Sequence, residues 1–269
     1  MKWFDKMLKR IAVAGYRMAQ QEINQQKLHG DLKRLFPNSY EGALVGRFRT
    51  LSKTIDARLK GRYCGSLEDR LIQMMATYDA ARRLTGEPTP LCHAHIGVLF
   101  GGSLIAALET LRMANSRQTV VGIDPLAGFY GKSIEPVTGL PITQETVREN
   151  IALFGFQPEQ VELIASPSND PAVLARLGNR RLATLFIDGD HSYEGVKRDW
   201  EIYSPLVAPG GYVIFDDYKM MFHYFTVTQF VMDLLHTRPD PWRVVGALDT
   251  TILLQRQADG KEFQISGSF

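Results

Sequence analysis

Cysteine is scarce. Cys64 and Cys92 are the only two in the chain, too few for a disulfide framework or a zinc cluster. That usage predicts a reducing compartment, the cytoplasm. An excess of one charge is also missing: 31 Lys and Arg stand against 29 Asp and Glu, a net charge of +2. Without a basic footprint, nucleic acid is not an expected partner. Long apolar runs are missing too. The longest stretch free of Asp, Glu, Lys and Arg, Pro88 to Leu108, holds two prolines, two histidines and three glycines, a poor membrane span. The first residues lack the apolar core and small-residue cleavage site of a secretory signal, so none is expected. There is no internal repeat and no low-complexity segment. What remains is 45% hydrophobic and 22% charged over 269 residues, an ordinary globular composition for one large domain, alone or with a helical appendage.

Two textures divide the chain. Residues 1–85 read as a helical N-terminal extension. Phe4, Met7, Leu8, Ile11, Ala14 and Met18 recur at three- and four-residue steps, and Lys2, Lys6, Lys9, Arg10 and Arg17 decorate the other faces. Over residues 1–20 such a basic amphipathic helix has three uses. It docks on its own domain, joins subunits of a homo-oligomer, or lies peripherally on the anionic inner face of a membrane. Over residues 86–269, short β-rich runs alternate with helical segments, the signature of βαβ units. The predicted strands are Cys92–Gly97, Thr119–Asp124, Val161–Ser166, Leu182–Asp188, Gly211–Asp216, Trp242–Leu248 and Thr250–Gln255. Five parallel strands and an antiparallel terminal hairpin make an α/β fold, a doubly wound, Rossmann-like sheet of seven strands. The Gly- and Pro-rich linker between Asp124 and Thr143 is too long for a plain connection. It is either a lid over a site or a disordered surface loop.

Candidate chemistry gathers where strands end. His95-Ile-Gly97-Val-Leu-Phe-Gly101-Gly102-Ser103 follows the first strand and opens a helix. Glycines there let backbone approach a ligand, and the helix start offers free N–H groups to an anion. Its G-x-x-x-G spacing is neither the dinucleotide fingerprint nor a P-loop, and a plain tight turn is the alternative. Asp124 ends the second strand, where an acid accepts hydrogen bonds from ribose hydroxyls or simply caps a turn. The fourth strand runs into Asp188-Gly-Asp190-His191 and the fifth into Asp216-Asp217. If these strands are neighbours, Asp188, Asp216 and Asp217 converge. Carboxylates at close range repel one another unless a cation sits among them, and an all-oxygen set suits Mg²⁺, Mn²⁺ or Ca²⁺. The alternative is that these acids cap helices or form ion pairs.

The run FIDGDHSYEGVKRDWEIYSPLVAPGGYVIFDDY resembles the hallmark of class I S-adenosylmethionine-dependent methyltransferases. The similarity is to the metal-dependent branch of macrocin-type and aminocoumarin-type sugar O-methyltransferases, with cephalosporin hydroxylases as relatives. It covers roughly residues 90 to 256. The resemblance implies a strand order of 3-2-1-4-5-7-6 and S-adenosylmethionine and Mg²⁺ (or Mn²⁺) as cofactors. It matches Asp188, Asp216 and Asp217 to the metal ligands and Asp190 to the general base. It matches the turn of Gly97, Gly101, Gly102 and Ser103 to the methionine part of the cofactor, Asp124 to the ribose and Ser168 to adenine. His191 is the other candidate base, since an imidazole titrates near neutrality, or else it orients a carboxylate. One departure stands out: the family carries an acid two residues before the first glycine, where this chain has His95. The acceptor implied is a hydroxyl of a sugar, glycan or glycosylated metabolite. A catechol-like acceptor, or a non-catalytic cofactor-binding scaffold, is the alternative.

Overall fold

The computed structural model describes residues 24–219, 225–258 and 261–265. The basic segment 1–20 lies outside the described residues. Three helices open the described chain: α1 (24–35), α2 (Gly42–Arg58) and α3 (Leu67–Arg83). Then follow β1 (Leu91–Ile96), α4 (Gly102–Met113), β2 (Thr119–Asp124), α5 (Gln144–Leu153), β3 (Val161–Ala165), α6 (Pro171–Leu177) and β4 (Arg181–Ile187). The chain continues through α7 (Tyr193–Tyr203), β5 (Val207–Phe215), α8 (Phe225–His236), β6 (Trp242–Leu248), β7 (Thr251–Arg256) and β8 (Gln264–Ile265).

The sheet order is β3-β2-β1-β4-β5-β7-β6-β8. The β3-to-β5 half is parallel, and β7 runs antiparallel to both of its neighbours. The expected seven-strand order is therefore present, and the count is corrected to eight. Two residues of β8 add to the outer edge of β6, too short a strand to leave a periodic signal. β5 begins at Val207, earlier than its predicted start. Pro209-Gly210 reads as a turn but is a kink inside the strand, with Gly210 at φ +86 and a register shift against β4.

Alternation along the strands sorts side chains to two faces. Cys92, Ala94 and Ile96 of β1 join the cluster under α6, α7 and α8. The opposite face of the sheet, with Phe186, Ile214 and Leu253, packs against α3, α4 and α5. That cluster runs on without a break to Ile55 of α2 and Leu32 of α1. α1–α3 thus share the core of the sheet. α3 starts with a capping box in which Ser66 and Asp69 satisfy each other's backbone N–H groups. Buried Asp69 also accepts from Thr250 N, Thr250 Oγ1 and Thr251 Oγ1 at 3.0 Å each. The cap of α3 therefore fastens it to the β6–β7 turn.

Candidate functional site

The order β2-β1-β4-β5 sets four carboxyl strand ends side by side, the edge at which open α/β sheets bind ligands. Ladder bonding continues past those ends: Gly97 N donates to Ile123 O, Asp188 N to Ile96 O and Asp216 N to Ile187 O. Gly97 lies at φ +89, and a Cβ there would fall 2.0 Å from the Asp188 carbonyl oxygen. Only glycine lets the tips of β1 and β4 approach this closely. Gly101, at φ +86, is the N-cap of α4 and makes no side-chain cap bond. Gly102 lies under the Tyr63 ring, which a Cβ would meet at 2.6 Å, and Ser103 in the first helical turn is half-buried.

Asp124 braces the glycine turn. Its Oδ2 accepts from Val98 N and its Oδ1 from Leu126 N, both at 2.8 Å. Ser168, after β3, donates to Asp199 Oδ1 at 2.6 Å, and its carbonyl accepts from Tyr203 Oη. His95 is buried edge-on against Phe186 with neither ring nitrogen bonded. Burial pushes its pKa down to about 3, with His93 adding to the fall. A neutral ring therefore occupies the position where the related family has an acid.

The tips of β4 and β5 bring together Asp188, Asp217 and His191, which can offer ligand atoms within 4.8 Å of one another. His191 Nε2 lies 3.1 Å from Asp188 Oδ1 and 3.3 Å from Asp217 Oδ2. Asp216 faces another way: buried, it meets the Thr251 hydroxyl at 3.0 Å, the hydroxyl that Asp69 also meets. Asp190 stands outside the trio. It is exposed, accepts from Ser192 N at 2.9 Å ahead of α7, and lies 3.6 Å from Arg198.

The electrostatics are those of crowded acids. Burial raises the pKa of Asp216, and the charges of Asp188, Asp69 and Asp217 raise it further. Burial and the Asp188 charge push Asp217 up to about 6. Asp188 is raised as well, first by burial, with Asp124 and Asp69 adding to it. Burial alone would lower His191, but its hydrogen bond to Asp188 and the charges of Asp188, Asp217 and Asp190 win and raise it. The His191 imidazole thus bridges two carboxylates whose pKa values are raised.

Residues that sequence reasoning missed complete the rim. Tyr130, at φ +46 in the 125–142 loop, reaches His191 Nδ1 at 2.8 Å and the Gly189 carbonyl at 3.3 Å. Fully buried Glu135 holds that loop by accepting from Val137 N, Thr138 N, Thr138 Oγ1 and Arg62 Nε. Arg62 also lies over the Phe129 ring. Cys64 feels the charges of Asp188 and Glu135, and burial foremost pushes its thiol up to about 11, so it is not a nucleophile. The only sequence signal for Arg62 and Cys64 was their place in a Gly-containing break between helical runs.

Comparison with known proteins fits this geometry. Residues 94–218, a little under half of the chain, match a methyltransferase domain family. An uncharacterized protein of Acanthamoeba polyphaga mimivirus is 32% identical over 137 residues, covering 50% of this chain and 55% of that protein. A Streptomyces olivaceus 8-demethyl-8-(2,3-dimethoxy-alpha-L-rhamnosyl)-tetracenomycin-C 4'-O-methyltransferase is 37% identical over 81 residues, 30% of each chain. The matched region thus spans about half the length of the first of these relatives and under a third of the second. Among solved structures, the O-methyltransferase NovP superposes with a TM-score of 0.60 at 21% identity, covering 80% of this chain and 99% of its own. The TDP-rhamnose 3'-O-methyltransferase CalS11 gives 0.50 at 16% identity, covering 86% and 94%. The S-adenosylhomocysteine-bound Podospora anserina methyltransferase PaMTH1 gives 0.50 at 16%, covering 88% and 96%. Residues 94–218 are thus similar to a methyltransferase domain family, and the chain has the fold of the solved methyltransferase structures NovP, CalS11 and PaMTH1.

Proposed function

We propose that the chain is a divalent-metal-dependent O-methyltransferase that moves the sulfonium methyl of S-adenosylmethionine to a hydroxyl of a sugar, glycan or glycosylated metabolite. One observation carries this reading: the glycine turn braced by Asp124 and the Asp188–His191–Asp217 trio sit on adjacent strand ends. A methyl donor and an activated hydroxyl would meet across that edge. The sugar acceptor is favoured by the names of relatives, a rhamnosyl 4'-O-methyltransferase and a TDP-rhamnose 3'-O-methyltransferase.

On this reading the turn from Gly97 to Ser103 receives the methionine part of the cofactor, Asp124 the ribose and the Ser168 region the adenine. Asp188 and Asp217 would hold Mg²⁺ or Mn²⁺, with Asp216 directly behind them. The donor set fits: the Asp188 and Asp217 carboxyls, raised first by burial, converge with the His191 imidazole within 4.8 Å. A bound divalent ion lowers the pKa of a coordinated hydroxyl and orients it. His191 is better placed than Asp190 to take the hydroxyl proton, because its Nε2 lies beside both carboxylates while exposed Asp190 is turned to Ser192 N and Arg198. Positioning supplies much of the remaining acceleration, since methyl transfer is an in-line displacement.

Calorimetric titration with S-adenosylhomocysteine in Mg²⁺ buffer tests the cofactor, with saturable one-site binding as the expected result. Asp188→Asn and Asp217→Asn should keep that binding and lose methyl transfer to sugar acceptors. Absence of cofactor binding would mean that His95 marks a loss of cofactor recognition and would move the non-methyltransferase readings to the front.

A further inference from the structure

We propose that Asp199 and Tyr203 of α7 are positioning residues for the base of the cofactor, fixing the turn after β3 so that its backbone N–H groups meet adenine N1. The proposal rests on the reading of the strand-end edge as a site for S-adenosylmethionine. That edge runs β3-β2-β1. A ligand whose methionine end lies on the glycine turn after β1, and whose ribose meets Asp124 at the end of β2, extends next to the tip of β3. Residues 167–170 form a β-turn there, closed by Asp170 N donating to Pro167 O at 3.0 Å. Ser168 and Asn169 are its central residues. Their N–H groups lie outside the closing bond and have no hydrogen-bond partner among the described residues. Adenine N1 carries a lone pair that accepts from such a donor. Hypoxanthine carries a hydrogen at N1 and presents a donor instead.

α7 holds this turn by both polar ends of one residue. Ser168 Oγ donates to Asp199 Oδ1 at 2.6 Å, and the Ser168 carbonyl accepts from Tyr203 Oη. The hydroxyl hydrogen and the carbonyl oxygen of Ser168 are thereby engaged inside the protein, which leaves its N–H for a ligand. Asp199 and Tyr203 are both buried, and Asp199 Oδ2 has no hydrogen-bond partner among the described residues. A carboxyl buried with one oxygen unpartnered costs stability, which an apolar residue at that place on α7 would not. Its hydrogen bond goes to Ser168, so what Asp199 contributes is the setting of the turn. The far end of the turn is fixed separately. Asp170 Oδ2 accepts from Ser166 Oγ at 2.6 Å and its Oδ1 from Ala172 N at 2.9 Å, at the start of α6. Losing the α7 contacts therefore frees Ser168 while α6 stays capped.

The test compares S-adenosylhomocysteine with S-inosylhomocysteine, which differs at the base alone, by calorimetric titration of the full-length chain. The wild type should bind the adenosyl ligand at least about tenfold more tightly, since the inosyl base sets a donor against a donor. Tyr203→Phe and Asp199→Ala should bring that ratio below about threefold, through weaker adenosyl binding with the inosyl affinity held. Asp199→Asn, whose amide oxygen still accepts from Ser168, should keep the wild-type ratio. General damage to the fold would weaken both ligands alike and leave the ratio where it was. If Asp199→Ala does not fold, Tyr203→Phe decides, because it removes only the hydroxyl and keeps the ring packed. An undiminished ratio in Tyr203→Phe would overturn the proposal, and so would a wild type that does not distinguish the two bases. Failure of the wild type to bind either ligand is a separate result: it would overturn the cofactor reading itself, and the proposal with it.

Discussion

Asp199 shows what burial does to one carboxyl. It sits on α7, fully buried, with Oδ1 held by Ser168 and Oδ2 without a hydrogen-bond partner among the described residues. Burial lifts its pKa to about 6, against a partial pull downward from Ser168 and Arg198. A raised acid keeps its proton in the folded state after the unfolded chain has released it. Stability contributed by this group is therefore fully present near pH 4, lost as pH rises through about 6, and flat above. A rise of about two units corresponds to about 3 kcal/mol. Asp199→Asn keeps the shape and cannot ionise. Urea denaturation should show the variant gaining on wild type between pH 4.5 and pH 7.5, by up to a few kcal/mol. A constant difference across that range would show that Asp199 is not the group responsible.

At the scale of the element, the loop between β2 and α5 behaves as a built piece. Glu135 collects its donors from Val137, Thr138 and Arg62, and small bridges at Phe129–Lys132 and Ile134–Pro141 close it on itself. Hydrogen bonds to a buried charge contribute about 1.5–3 kcal/mol each, and a loop opens locally in proportion to what holds it. Glu135→Ala should raise the rate of native-state proteolysis between residues 125 and 142 by at least about tenfold. The midpoint of global unfolding should change far less. Equal sensitivity of both would mean that the loop is part of the core. Tyr130, Ile134, Val137 and Leu140 are exposed on it, while Leu126 and Ile142 at its ends are buried in the core.

For the whole molecule, three described helices from the N-terminal third and five from the remainder, α4–α8, clasp one sheet, and α1–α3 share a hydrophobic cluster with β4, β5 and β7. Among the described residues no helix is long and apolar enough to cross a membrane. A cofactor bound across the strand ends would draw on all of this, since β1, β2, β4 and the N-terminal segment meet there. S-adenosylhomocysteine at a hundredfold excess over its Kd should stabilise the fold by about 2.7 kcal/mol. For a chain of this size that is a rise in Tm of about 5 °C. An unmoved Tm at saturating ligand would count against the cofactor site as drawn.

Much of this was legible in the residues. Alternating apolar runs ending in Asp124, Asp188 and Asp216 placed the strands and their ligand edge, because burial on both faces demands continuous apolar sequence. Pro209-Gly210 hid the start of β5, since a kink and a turn use the same residues. The acid cluster was readable as composition but not as orientation. Neighbouring aspartates at a strand end point to different partners, and only the packed sheet shows Asp216 turned to Thr251 while Asp217 meets His191. Tyr130 and Arg62 lie 61 and 73 residues from their partners His191 and Glu135, and no local pattern encodes contacts so far apart. Local chemistry, read residue by residue, was enough for the strands, the glycine turn and the kinds of group at the site. Which of those groups touch was decided by tertiary structure, because side-chain direction depends on long-range packing that sequence spacing does not carry.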